Sequence, residues 1–223
     1  ASHLGEKPLE DAQLGFSFHN YCLPETLLQA FGLKKLPACR ALEQRVFSNA
    51  RATSERLGAA SLLTEFGASD DLLDIGRVVD QADRNQVGWM TWSYKNWGDP
   101  TTQAQGSGAQ SLFARDDDFG SVKPAKLALM ERPYPQAVAG VPLDYGYDTG
   151  TGRFPLPFSP TLPGGQAAGA NLRSEIYVPK LHYPNGYVVT VQGGHVVSDA
   201  NAALLQVVAD AGATQVTVEV TAP

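Results

Sequence analysis

Short apolar runs alternate with amphipathic stretches through the first 132 residues. The runs at positions 14–19, 61–66 and 87–92 are short and continuous or alternating, which predicts strands, the middle one buried along its whole length. Between them, apolar residues recur at helical spacing over 38–57 and 69–85. The order strand, helix, strand, helix, strand is typical of parallel βα units. We therefore expect a parallel sheet with helices packed on it.

The predicted helices begin and end at residues with suitable chemistry. Gly58 follows the first helix and is placed to stop it. Ser69 is the predicted N-cap of the second helix, and Asp70 and Asp71 in its first turn would complement the helix dipole. A further helix is predicted over 122–132, after a loop at 98–121 that is rich in Gly, Gln, Thr and Asp. Loops of that length in compact domains are usually functional or mobile.

The pattern changes at Pro133. Short runs with strand character are separated by turn residues from there onward, which predicts an antiparallel β-sandwich. Gly193 and Gly194 are predicted to form a hairpin turn. We therefore place a domain boundary near residue 133, between domains at 1–132 and 133–223. The predicted strands of the second domain are 137–141, 144–147, 153–156, 174–178, 187–192, 195–198, 204–209 and 214–221.

Composition and charge narrow the possible functions. The chain has 223 residues, 43% hydrophobic and 18% charged, which is typical of a folded protein. Its formal charge of −6 is spread without a basic cluster, which argues against a nucleic-acid partner. No apolar run approaches the ~20 residues that a transmembrane helix needs. Asp116, Asp117 and Asp118 lack the ligand alternation of a calcium loop, so we expect a solvated loop, and neither a metal nor a cofactor.

Cys22 and Cys39 are the only cysteines. Two cysteines that flank one loop favour a disulfide, which would fit a secreted, extracellular protein. Two buried free thiols are the alternative. The N-terminus carries no signal peptide, but a processed chain would not show one.

The C-terminal ends of the three predicted strands carry polar or aromatic side chains. His19 and Tyr21 end the first strand, Glu65 ends the second, and Trp92 ends the third. In (β/α)8 barrels these strand ends meet in one cleft, where active-site groups are mounted. A carboxylate there has a rigid strand behind it, which suits a nucleophile or a proton-transfer group. The residues alone equally allow a helix-capping role for Glu65, and packing roles for the other three.

Three motifs in sequence order carry a family resemblance. They are His19-Asn20-Tyr21, then Leu63-Thr64-Glu65-Phe66-Gly67, then Gly-Trp-Met-Thr-Trp-Ser-Tyr-Lys-Asn-Trp at 88–97. They resemble the sixth, seventh and eighth barrel strands of glycoside hydrolase family 5, and more narrowly those of the endoglycoceramidases. The segment from Pro124 to the C-terminus is similar to the C-terminal domain of these enzymes. The resemblance implies an α/β plus all-β fold, with a partial (β/α)8 TIM barrel (strands 6–8) followed by the sandwich.

The resemblance also implies residue roles. Glu65 would be the nucleophile of a retaining β-glycosidase that hydrolyses the sugar–ceramide linkage of glycosphingolipids. His19 and Tyr21 would flank it, with Tyr21 able to hydrogen-bond the carboxylate. Trp92 would form a platform under the sugar at the cleaved bond.

Two more polar residues follow Trp92 in the third motif. Lys95 and Asn96 lie just beyond it and would contact sugar hydroxyls. Membrane contact would be made only through the lipid substrate. Family 5 chemistry implies no cofactor.

One departure from the family pattern is serious. The family's general acid/base is a glutamate in an Asn-Glu-Pro motif at the end of the fourth strand, and no Asn-Glu-Pro occurs in this sequence. Retaining hydrolysis needs a second carboxylate about 5–5.5 Å from the first, and three strands cannot close an eight-stranded barrel. We therefore expect the C-terminal portion of a longer enzyme, whose N-terminal half is its partner and supplies the acid. The isolated chain should be inactive unless Glu25 or Glu43 serves as the acid.

Two other functions remain open at this point. One is a family 5 enzyme that acts on another β-glucoside, such as a steryl glucoside or a polysaccharide. The other is a non-catalytic carbohydrate- or lipid-binding module, which the missing acid/base would explain. An Asn-Glu-Pro motif upstream in the same reading frame would favour an enzyme.

Overall fold

A computed structural model describes residues 11, 13–22, 38–96 and 108–223 of the chain. The chain divides into two compact units, Ala1–Leu127 and Ala128–Pro223. The boundary predicted from the sequence lies a few residues further on, near residue 133. No helix among the described residues is long and apolar enough to cross a bilayer.

The first unit is built on a three-stranded parallel sheet. Helix α1 (Ala38–Leu57) follows the first strand and helix α2 (Leu72–Arg84) follows the second. Parallel neighbours require such crossovers, because a tight turn can join only antiparallel strands. The predicted parallel βα order is thus observed. In spatial order the strands are β1 (Gly15–Asn20), β2 (Ala60–Phe66) and β3 (Gly88–Trp89).

Aromatic and aliphatic side chains form the core of this unit. Leu63 and Phe66 of β2 are fully buried, and so is Val79 of α2. The Phe66 ring meets the Trp89 ring edge-on, with centroids 5.5 Å apart. The other residues of β2 are partly or fully exposed, so the prediction of a strand buried along its whole length is wrong. The described sheet has only three strands, which is too narrow to bury both faces of its central strand.

Two boundaries in this unit differ from prediction. Helix α2 is capped by Asp71, whose Oδ1 accepts hydrogen bonds from the backbone N–H groups of Leu73 (3.0 Å) and Asp74 (3.2 Å). Ser69 instead accepts a bond from the N–H of Asp71 at 3.2 Å, so the prediction of Ser69 as N-cap is wrong by two residues. Strand β3 is shorter than the predicted 87–92. Beyond Trp89 the regular ladder stops, and Trp92 then makes an isolated parallel bridge with Gly67, the residue after β2.

The segment that leads out of the first unit contains a 3-10 turn at Phe119–Ser121 and helix α3 (Pro124–Met130). Asp118 caps the turn by accepting a hydrogen bond from the N–H of Gly120 at 2.8 Å. Helix α3 is shorter than the predicted 122–132. It begins at Pro124, because proline suits the first helical position, and it ends before Pro133.

The second unit consists of two antiparallel four-stranded sheets, as the sequence predicts. One sheet has the order β4 (Tyr134–Ala137), β7 (Ser174–Tyr177), β10 (Leu204–Ala209), β9 (Gly194–Val196). The other has the order β5 (Val141–Pro142), β6 (Phe154–Ser159), β11 (Val216–Thr221), β8 (Val188–Gln192).

Alternating residues of both sheets fill the space between them. In β6 and β11 every second side chain is buried, which is the pattern of strands with one face in a core. The buried cluster combines β6 and β11 of one sheet with β7 and β10 of the other. It includes Phe154, Leu156, Phe158, Ile176, Leu205, Val207, Val216, Val218 and Val220.

Three predictions for this unit are wrong. Positions 137–141 are not one strand, because Ala137 ends β4, Val141 begins β5 and 138–140 join them. Positions 144–147 form no strand. Next to the latter, the Asp148 carboxylate accepts the N–H of Gly150 at 2.8 Å, which closes a turn instead. Gly193 is not a hairpin turn, because β8 and β9, which it joins, belong to different sheets. Its φ is +71°, and a Cβ there would overlap the backbone oxygen of Gln215.

Candidate active site

The Glu65 carboxylate lies beside two side chains from the end of β1. The Tyr21 hydroxyl donates a hydrogen bond to Glu65 Oε2 at 3.1 Å. His19 Nδ1 lies 3.3 Å from the same oxygen. The β1–β2 register shifts between Phe18 and His19, and this shift sets His19 directly opposite Glu65. The Glu65 side chain is 32% exposed, so a ligand can reach it.

Tyr21 is held in its neutral form by its surroundings. Burial raises the pKa of its hydroxyl well above the ordinary value, and the negative charge of Glu65 and the hydrogen bond to it act in the same direction. The hydroxyl therefore keeps its proton at neutral pH. It can act as a donor that fixes the orientation of the Glu65 carboxylate.

Trp92 lies at the same end of the sheet as Glu65. Its backbone N–H donates to Phe66 O at 2.7 Å, and its carbonyl accepts the N–H of Ala68 at 2.6 Å. Gly67 has a φ of +97°, and a Cβ there would come within 3.2 Å of the Trp92 oxygen, so glycine permits this close approach. The backbone of Trp92 is therefore tied to the segment that follows Glu65. The Trp92–Ser93 peptide is cis.

Gln110 orients the Trp92 indole, and the sequence gives no signal for it. Its Oε1 accepts a hydrogen bond from Trp92 Nε1 at 3.2 Å. Its Nε2 donates to Asn96 Oδ1, and its carbonyl accepts the N–H of Ser93 at 2.8 Å. Gln110 is 4% exposed. It lies in a long, polar loop where the residues within hydrogen-bonding distance cannot be predicted from spacing.

Lys95 and Asn96 are bound to the segment at 108–121. Lys95 Nζ donates to the Asp116 carbonyl at 2.6 Å and lies 4.3 Å from the centre of the Phe119 ring. The N–H of Asn96 donates to Asp116 Oδ1 at 2.8 Å. The structure thus brings His19, Tyr21 and Glu65 into direct contact, whereas Lys95 and Asn96 hold the neighbouring loop. Their contact with sugar hydroxyls stays a prediction.

The two cysteines form a disulfide. Cys22 and Cys39 are bonded, with Cα atoms 5.6 Å apart, and both side chains are buried. Of the two alternatives left open by the sequence, the structure shows the bridge. It fastens the residue after Tyr21 to the first turn of α1.

Glu43 and Glu25 are the two glutamates that the sequence leaves open as the general acid. Glu43 is 2% exposed on α1 and is paired with Arg77 of α2 at 3.2 Å. Burial raises the pKa of Glu43, and Arg77 lowers it in part. Glu25 lies outside the described residues, as does Trp97 of the third motif. Within the described ranges, no group of three His, Cys, Asp or Glu side chains could hold a metal.

Comparison with known proteins supports the motif resemblance. Residues 132–221 match the glycoside hydrolase family 5 C-terminal domain. Endoglycoceramidase I of Rhodococcus hoagii (strain 103S) is 33% identical over 217 residues, which are 96% of this chain. The chain spans 38% of the length of that relative.

Solved structures show the same similarity. Endo-glycoceramidase II from Rhodococcus sp., as a lactosyl-enzyme intermediate and as a ganglioside GM3 complex, is 26% identical, with TM-scores of 0.66 and 0.67. These matches cover 94% of this chain and 42% of that enzyme. Cryptococcus neoformans sterylglucosidase 1 is 20% identical and has a TM-score of 0.64, so it shares the fold. That match covers 82% of this chain and 31% of the sterylglucosidase chain. The chain therefore belongs to glycoside hydrolase family 5, where it corresponds to the C-terminal portion of the endoglycoceramidase-like enzymes.

Proposed function

We propose that this chain is the nucleophile-bearing portion of a retaining β-glycosidase that cleaves the sugar–ceramide linkage of glycosphingolipids. The observation that carries the proposal is the carboxylate of Glu65. It stands at the end of a strand, is partly exposed, and is contacted by Tyr21 at 3.1 Å and His19 at 3.3 Å. Both contacts fall on Oε2, so we assign the attack on the sugar to Oε1.

The chemistry follows from this arrangement. Oε1 of Glu65 attacks the anomeric carbon as the bond to the ceramide oxygen breaks, and that oxygen takes a proton from the acid/base glutamate of the N-terminal half. Water then hydrolyses the covalent glycosyl-enzyme and gives its proton back to the same glutamate. The Tyr21 donor holds the carboxylate in the orientation for attack. The lactosyl-enzyme intermediate named for the Rhodococcus relative supports a covalent route.

Other side chains at this edge have roles in binding. Trp92 offers a flat apolar face to the pyranose ring, and Gln110 fixes the tilt of its indole. Lys95 and Asn96 contact sugar hydroxyls from the rim. The ganglioside GM3 complex of the Rhodococcus relative supports a glycolipid substrate.

The general acid/base comes from a partner segment. We propose that the active enzyme includes an N-terminal half, which supplies the missing barrel strands and the Asn-Glu-Pro glutamate. The relative length of the Rhodococcus hoagii enzyme supports this, because the chain spans 38% of it. Glu43 is a poor substitute, since its carboxylate is buried against Arg77. The disulfide supports our further proposal that the enzyme is secreted.

Trapping of the covalent intermediate tests the nucleophile. The complete enzyme, containing this chain, is incubated with a 2-deoxy-2-fluoro-β-glycoside and digested with trypsin. Arg56 and Arg77 bound the peptide 57–77, which contains Glu65. We expect the label on Glu65. Glu65→Gln should lose both the label and ~10³-fold or more of turnover. Glu55→Gln, an exposed glutamate on α1, is the matched control and should lose neither.

Near-normal turnover in Glu65→Gln, or a label on another residue, would exclude the assignment. The substrate is tested separately with fluorescent glycosylceramide, a steryl glucoside and a β-glucan. Preference for either of the last two would keep the nucleophile but remove the proposed substrate. Turnover by the isolated chain, without the N-terminal half, would contradict the proposed origin of the acid.

A further inference from the structure

Lys126 carries an ammonium group in the interior of the first unit. It lies on α3 and is 1% exposed. Its Nζ lies near four backbone oxygens, those of Ser69 (2.8 Å), Ala109 (3.1 Å), Gln110 (3.1 Å) and Ser111 (3.2 Å). An ammonium has three N–H donors, so these carbonyls share them. The group is therefore bound on every side by polar partners.

Two charged side chains also face this ammonium. Asp70 Oδ1 lies 3.5 Å from Lys126 Nζ, and Lys123 Nζ lies 2.7 Å from the same oxygen. Burial lowers the pKa of Lys126 to about 8, with Asp70 opposing and Lys123 reinforcing the effect. A buried charge is costly unless it is paired and hydrogen-bonded. The four carbonyls and Asp70 offset this cost for the Lys126 ammonium.

The four carbonyls belong to the two segments that hold the candidate site. Ser69 follows Glu65 by four positions in the sequence. The backbone carbonyl of Gln110 accepts a hydrogen bond from Lys126, and its side-chain Oε1 accepts one from the Trp92 indole. One ammonium thus fastens the segment after the Glu65 strand to the residue that orients the indole.

We infer that Lys126 is a positioning residue for the sugar platform, because it fixes Gln110 and through Gln110 the indole of Trp92. It touches neither the sugar nor Glu65 in this scheme. The inference rests on the proposed function only for calling Trp92 a sugar platform. The way in which the indole is held can be measured without substrate.

The test follows the indole N–H resonances of the full chain labelled with ¹⁵N-tryptophan. Trp92→Phe identifies the Trp92 signal, and Gln110→Ala shows where that signal moves when the indole loses its acceptor. Lys126→Met keeps the side-chain length but removes the charge. We expect it to move the Trp92 signal in the same direction as Gln110→Ala. Lys126→Arg should restore part of the shift, and the exposed Lys180→Met should leave the signal in place.

A Trp92 signal that does not move in folded Lys126→Met would overturn the inference. If that variant does not fold, the unmodified chain is titrated from pH 7 to 9. The Trp92 signal should then move with a midpoint near the Lys126 pKa of about 8. Asp70→Asn should lower this midpoint and Lys123→Met should raise it, because the first removes an attractive charge and the second a repulsive one. A signal that stays constant from pH 7 to 9 would equally overturn it.

Kinetics of the complete enzyme separate a positioning role from simple loss of fold. Lys126→Met should raise KM and lower kcat/KM ~10-fold, while Lys126→Arg recovers part of the loss. An unchanged KM together with a moved indole would remove the link to the sugar. If the enzyme does not act on glycosylceramide at all, the proposed function fails, but the indole measurement still decides the role of Lys126.

Discussion

Reduction of the Cys22–Cys39 bond should destabilise the first unit by about 3 kcal/mol. The bond joins residues that are 17 positions apart. It links the end of β1, next to Tyr21, to the first turn of α1. Reduction leaves both side chains in place, whereas a serine replacement would also put a hydroxyl at Cys39, which is only 1% exposed. Reduction is therefore the cleaner perturbation.

The magnitude follows from loop closure in the unfolded chain. For a closed loop of this length, the lost entropy corresponds to ~3 kcal/mol at 25 °C. Domains of this size have a urea dependence of ~2 kcal/mol per M. The unfolding midpoint should therefore fall by ~1.5 M urea on reduction.

Tryptophan emission gives an assay for this unit alone. The chain has three tryptophans, Trp89, Trp92 and Trp97, and all of them lie within Ala1–Leu127. Urea unfolding of the oxidised and reduced chain is followed by their emission. The double variant Cys22→Ser/Cys39→Ser is the control, because the reductant should not change its midpoint.

Two results would refute this reasoning. One is an unchanged urea midpoint after complete reduction, which would mean that the bridge does not restrict the unfolded chain. The other is two alkylatable thiols in the native, untreated protein, which would mean that the bridge is absent. A smaller midpoint shift with a lower urea slope would instead indicate residual structure in the unfolded state.

Three more predictions concern single side chains. Tyr21→Phe removes the hydrogen-bond donor to Glu65, and a hydrogen bond to a charged group contributes ~1.5–3 kcal/mol. The kcat of the complete enzyme should therefore fall ~10–10²-fold with little change in KM. An unchanged kcat would contradict the role of Tyr21. Phe154 is fully buried in the sandwich. Phe154→Ala should therefore lower the free energy of unfolding of the second unit by ~3–5 kcal/mol, as measured by circular dichroism in urea. A loss below ~1 kcal/mol would contradict tight packing there. Burial raises the pKa of Tyr183 above its unfolded value of about 10, so the stability that its neutral form contributes is complete below pH 10 and is lost as the pH rises further. Unfolding of the second unit at pH 8 and 11 should show this loss, and Tyr183→Phe should reduce it.

Much of the fold could be predicted because its signals are local. The bounds of α1 match the predicted 38–57. The apolar spacing that predicts the helix lies within it, and the Gly58 that predicts its end directly follows it. Strand β10 matches its predicted bounds for a similar reason. The predicted boundaries are wrong where contacts between residues distant in sequence decide the local structure. Either Ser69 or Asp71 could cap α2, and only the path of the chain selects Asp71.

The candidate site was predictable to a similar extent. Strand-end positions and the family motifs single out His19, Tyr21 and Glu65, which the structure brings into contact. Gln110 and Lys126 were missed, because their partners are distant in sequence. Lys126, for example, bonds to Ser69, which is 57 positions away. No periodicity or spacing rule reports contacts of that kind.

The irregular register between β1 and β2 decides which residue is the neighbour of Glu65. Regular pairing continued from Phe18 and Leu63 would set His19 opposite Thr64, and Asn20 opposite Glu65. One additional residue in β2 replaces that asparagine with the histidine. An asparagine amide has fixed donor and acceptor atoms, whereas a histidine ring nitrogen donates or accepts a hydrogen bond according to the tautomer of the ring. Whether the carboxylate faces an amide or an imidazole is thus set by the number of residues in a strand, and not only by which side chains the strand carries.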